Sequence, residues 1–96
     1  MRTDGLTQIG ALLVEKSQAL QLIQREAHAR SHGRVKDLSV EACEKTGAVI
    51  LKGRSQTYHA KQLAQHGVLD LLTRQDIRLA LNIGDAPKLV NDVEVA

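Results

Sequence analysis

Val35-Lys36-Asp37-Leu38-Ser39-Val40-Glu41-Ala42-Cys43, then Glu44-Lys45-Thr46-Gly47, then Ala48-Val49-Ile50-Leu51-Lys52-Gly53, is the stretch on which the fold of this chain turns. Leu38, Val40 and Ala42 alternate with Ser39, Glu41 and Cys43, the period of two that gives a strand one apolar and one wet face. Glu44 to Gly47 supplies turn chemistry, with Gly47 free to take a positive φ, and Ala48 to Lys52 returns as the second strand of a hairpin. Gly53 ends the apolar run. Beyond it, Ser55 or Thr57 can cap a helix whose stripe is Ala60, Leu63, Ala64, Gly67, Val68, Leu71 and Leu72, with Lys61, Gln62, Gln65, His66 and Asp70 left wet. Gly67 costs that helix roughly 1 kcal/mol relative to Ala unless close packing requires it.

Toward the C-terminus, Ile77, Leu79, Leu81 and Ile83 alternate with Arg78, Ala80 and Asn82, which favours a strand, with continuation of the preceding helix as the alternative. Gly84-Asp85-Ala86-Pro87 is a break, and Leu89 to Val95 reads as a final strand with Val93 and Val95 on one face. Toward the N-terminus, Leu6, Ile9, Leu13, Leu20, Ile23 and Ala27 recur at spacings that gather one helix face. Asp4 can cap this helix and Ser31-His32-Gly33 can stop it. The same residues fall on heptad a and d positions, with Lys16 and Arg30 as faults at d, so Leu6, Ile9, Leu13 and Leu20 are candidate self-association positions. A helix of this length would run about 37 Å at 1.5 Å per residue, more than a three-stranded sheet can cover.

Three pieces of this pattern resemble the BON domain, a bacterial module first recognised in osmotically induced periplasmic and nodulation proteins. They are the strand Val49-Ile50-Leu51-Lys52-Gly53, the helix opening Ser55-Gln56-Thr57-Tyr58-His59-Ala60-Lys61-Gln62-Leu63-Ala64, and the closing Leu89-Val90-Asn91-Asp92-Val93-Glu94-Val95. The resemblance covers roughly residues 35–95. It implies an αββαβ fold, a small sheet carrying two helices on one face, and a non-catalytic module that binds phospholipid surfaces or mediates protein contacts. Two features depart from the family pattern: the long first helix, and the interval from Leu72 to Leu89 where a short connection is usual.

Composition sets the outer bounds. Ninety-six residues, 43% apolar and 25% charged, suit one soluble globular domain with one core. At this length folding buries only about 60 to 65% of the unfolded chain's surface, so stability should be modest unless the chain oligomerises. Tyr58 is the only aromatic residue, so the core must be aliphatic. The single cysteine, Cys43, rules out an intramolecular disulfide and a multi-cysteine metal site. The apolar patch from Ile9 to Val14 is cut off by Glu15 and Lys16, too short for a signal-peptide core or a membrane span. The expected location is therefore cytoplasmic, or periplasmic if the chain is a trimmed exported protein.

Net charge is only +2, but it is unevenly placed. Arg25, Arg30, Arg34 and Lys36 face Glu26 alone within 25–36, with His28 and His32 interspersed, while the stretch from Gln75 to Ala96 is mildly acidic. Clusters of this kind gain roughly 1 kcal/mol per residue near an anionic lipid surface. Nucleic acid suits the chain poorly, because single-strand binders need several stacking aromatics. His28 and His32 stand at a spacing that can bring two imidazoles to one metal, but no third ligand is nearby. Cys43 lacks a base and an oxyanion donor, and no Gly-rich phosphate loop is present.

The expectation is thus a single α+β domain over 1–96, with a long N-terminal helix over 1–33 and a ββαβ core over 35–96 forming a small mixed sheet packed against helices. It is expected to be a non-enzymatic BON-like module without cofactor, metal or small-molecule substrate. Its basic patch of Arg25, His28, Arg30, His32, Arg34 and Lys36 would meet anionic phospholipid or an acidic protein partner. The alternative is a structural self-assembly module, a homo-oligomer joined along Leu6, Ile9, Leu13 and Leu20.

Overall fold

In the computed structural model, which describes residues 15–96, the chain runs α1 (Lys16–Arg30), β1 (Val35–Cys43), β2 (Ala48–Ser55), α2 (Tyr58–Leu72), α3 (Gln75–Leu81), β3 (Lys88–Val95). The hairpin forms as its alternation requires, β1 antiparallel to β2, and Gly47 takes the positive φ (69°) that its turn needs. β3 then pairs with β2 in parallel, which a direct turn cannot achieve, so α2 and α3 provide the crossover. The result is an α+β domain with a three-stranded mixed sheet in the order β1-β2-β3.

One face of the sheet carries Val40, Val49, Leu51 and Val93, all buried, and α1 and α2 pack on it and on each other. Ile23, Ala19 and Ala27 of α1 interlock there with Ala60, Ala64 and Val68 of α2, an entirely aliphatic core. The opposite face bears Ser39, Glu41, Lys52, Arg54, Asp92 and Glu94, all exposed. Asn91 points inward from β3 and ties it to α2: its Nδ2 donates to the Lys61 carbonyl at 3.2 Å and to Gln65 Oε1 at 3.0 Å.

Three expectations change or stop here. Residues 77–83 do not form a strand, nor do they continue α2: the helix ends at Leu72, Thr73 turns, and α3 is a separate helix. Ile77 and Leu81, four apart, are fully buried, whereas Leu79, which alternation would put beside them, is 71% exposed. Asn82 closes α3 in the left-handed region (φ 55°), and Arg78 Nη1 donates to the Leu72 carbonyl across the break. In place of the long helix expected over 1–33, the described residues show a 15-residue helix, Lys16–Arg30, that starts after an extended Glu15 at its cap (φ −78°, ψ 156°). The expected earlier half, with Leu6, Ile9 and Leu13, lies outside the described residues. Leu20 packs against the core of its own domain. His32 lies past the end of α1 in a left-handed turn (φ 55°), so the helical four-residue spacing from His28 is not realised.

Candidate functional site

The basic residues gather around the corner where α1 turns into β1. Ser31 stops the helix: its side chain is buried and its Oγ donates to the His28 carbonyl at 3.1 Å, while the Gly33 N–H donates to the same carbonyl at 2.8 Å with φ 70°. Two open grooves meet at this corner and share Gly33 and Lys36. One, of about 720 Å³, runs along α1 past Arg25, His28 and Lys36. The other, of about 610 Å³, runs across the strand ends past Arg34, Lys36 and Arg54 to Gln56 and Thr57 at the start of α2.

A β-bulge builds this second groove. Ser39 pairs with Lys52 on the open face; continuing that register would set Lys36 opposite Ser55, but the pairing shifts by one residue between Lys36 and Ser39. Lys36 therefore pairs with Arg54, and Val35 is delivered to the core in its place. Asp37, in the bulge, takes a left-handed φ of 53°, a conformation Asp tolerates better than most residues. That turn brings its Oδ2 to 3.0 Å from Arg54 Nε and 2.5 Å from Arg54 Nη2. Gly53 is required beneath: a Cβ there would stand 2.7 Å from Val35 Cγ1 and 2.9 Å from the Lys36 carbonyl oxygen.

The six basic-patch residues divide. Arg25, Arg34 and Lys36 are exposed and form no ion pair among the described residues. His28 is exposed and lines the α1 groove beside them. Arg30 turns the other way, toward α2, where its guanidinium meets Glu26 at 2.8 Å and also pairs with Asp70. The Asp70 hydrogen bond is the first cause that raises Arg30 above the ordinary guanidinium value, so its charge is already balanced. His32 is exposed in the turn and lines neither groove. Arg54, not anticipated from the sequence, joins the site; its signal was the hairpin register, which only the bulge completes.

Other candidate chemistry lies elsewhere. Cys43 is at the far end of β1 from the basic corner, and a hydrogen bond with the Thr46 side chain lowers its thiol below the ordinary value. Glu44 is held below the ordinary carboxylate value first by the Asn82 amide and then by Lys16, which stitches the hairpin turn to α3 and α1. No three His, Cys, Asp or Glu residues converge among the described residues. No described helix is long and apolar enough to cross a membrane.

No family model matches this chain, and no curated protein and no solved structure matches it either.

Proposed function

We propose that this chain is a non-catalytic, BON-like binding module that associates with anionic phospholipid surfaces through its basic corner. The observation that carries the reading is that Arg25, Arg34 and Lys36 are exposed around one corner with no carboxylate partner among the described residues. Proteins ordinarily intersperse charges of both signs, so cations left unbalanced at one place favour an external anion. Tyr58, the first residue of α2 and 62% exposed, follows directly on Thr57 of the groove. A single amphipathic ring beside cations suits the headgroup level of a bilayer. An acidic protein partner is the weaker reading, because protein interfaces are centred on buried apolar or aromatic anchors and this corner offers only that one ring.

The test is co-sedimentation with neutral and with anionic vesicles at low and high salt, with molar mass recorded by light scattering. Binding should be confined to anionic vesicles and fall with salt, as screening requires. Arg34→Ala with Lys36→Ala should weaken it roughly 30-fold, taking about 1 kcal/mol per basic residue. Absence of vesicle binding, together with a defined dimer or larger assembly, would overturn the lipid reading in favour of self-assembly.

A further inference from the structure

We infer that the groove bounded by Arg34, Lys36 and Arg54 seats a single dianionic phosphomonoester, and that Asp37 is a built-in competitor holding Arg54 until the phosphate arrives. The inference rests on the reading of the basic corner as the binding surface and gives that surface a chemical preference. A phosphomonoester is the headgroup of phosphatidic acid and is also the chemistry of inorganic phosphate.

The cross-strand register is the first argument. Lys36 and Arg54 lie directly opposite each other on the open face of the sheet, where like charges repel at close range. Such a pairing is relieved by an anion bridging both. Arg54 has Asp37 as its only ion-pair partner among the described residues, with side chains 67% and 70% exposed, a setting in which an ion pair contributes little and exchanges readily. Lys36 and Arg34 have none. Glu94, the register neighbour of Arg54 on β3, is the second side-chain carboxylate at this place and makes no ion pair with it, while Ala96 lines the groove with its N–H donating to the Ser55 carbonyl at 2.9 Å.

The groove walls add to the charge. Its far side is the start of α2, a helix of 15 residues, where Thr57 Oγ1 accepts the Ala60 N–H at 3.1 Å and Gln56 and Thr57 line the cavity. The positive end of that helix adds to the three cations that line the same groove. A phosphomonoester carries about −1.5 to −2 charges at neutral pH and three terminal oxygens, against one charge and two such oxygens for a phosphodiester. Three cationic side chains around one cavity match the monoester, and Arg54, whose Nε and Nη2 now both donate to the single Oδ2 of Asp37, can present those two donors to two phosphate oxygens.

Vesicles containing phosphatidic acid or phosphatidylglycerol at matched surface charge test this, with inorganic phosphate as the soluble probe. The full chain should bind phosphatidic acid about five- to tenfold more tightly, the advantage of charge-assisted, bidentate contacts. Lys36→Ala with Arg54→Ala should abolish the preference while leaving residual binding to phosphatidylglycerol through Arg25 and Arg34. Asp37→Asn, which keeps a residue suited to positive φ, should strengthen phosphatidic acid binding about two- to fivefold by releasing Arg54, a gain that misfolding cannot mimic. If inorganic phosphate raises the melting temperature and competes with vesicles, the seat takes soluble phosphate; if it does neither while the preference holds, the seat works at the membrane. Equal binding to both lipids with Asp37→Asn inert would overturn the seat and leave the general lipid reading intact. Binding to neither would overturn both.

Discussion

Gly67 of α2 lies so close to Arg30 of α1 that a Cβ at that position would stand 2.8 Å from Arg30 Cγ and 3.0 Å from the Glu26 carbonyl oxygen. Three residues further along α2, Arg30 reaches over to pair with Asp70. The same close approach draws Arg30 out of the basic patch and aligns α1 so that Arg25 and His28 face the groove. A glycine that looks like a defect by helix propensity is therefore the condition for the approach of the two helices.

Gly67→Ala should accordingly destabilise the domain by about 1–3 kcal/mol, since overpacking outweighs the gain of roughly 1 kcal/mol in helix propensity. Urea unfolding measures this directly. A rise in midpoint would show that the helices can part at no cost.

Asn91 is the inward polar residue that fixes β3 beneath α2, with Nδ2 shared by Lys61 and Gln65 and Oδ1 accepting the Val93 N–H at 3.3 Å. Asn91→Ala should cost about 1–3 kcal/mol, because the hydrogen-bond partners it leaves are partly buried. Amide hydrogen exchange should quicken in β3 before β1, because the lost tie is the one between β3 and α2.

Much of this architecture is legible in the sequence. Period-two alternation gives the hairpin, Gly47 its turn, and the stripe from Ala60 to Leu72 gives α2. The hairpin end is read correctly as far as Ser39, where strict alternation stops being a guide. From there it would turn Lys36 inward with Leu38, and the bulge that turns it outward depends on Asp37 accepting a left-handed backbone, which no periodicity signals. Arg54 is hidden for the same reason. The helix α3 is missed because Ile77 and Leu81 are separated by four residues, an interval that fits one face of a strand and one face of a helix alike. Only burial separates the two readings, and Leu79 stays out of the core.

The hairpin turn predicts a pH response. Glu44 is held below the ordinary carboxylate value, first by Asn82 and then by Lys16, so the charged form is favoured in the folded state. A depressed folded value means that its contribution is present above the ordinary unfolded value and is lost as pH falls through the lower, folded one. Glu44→Gln should therefore flatten the acid side of the stability profile, lowering the melting temperature at neutral pH and converging with the parent chain in acid. Parallel profiles for the two proteins would contradict the assignment.

Chemical-shift mapping of the backbone amides during titration with anionic and then neutral bicelles tests the central claim most directly, because it reports where the surface meets lipid as well as whether it does. With anionic bicelles, perturbations should concentrate at Gly33 to Lys36, at Arg54 to Tyr58 and at Arg25 and His28, and should vanish at high salt. Perturbations confined to α3 around Leu79, or equal responses to neutral and anionic bicelles, would contradict the account.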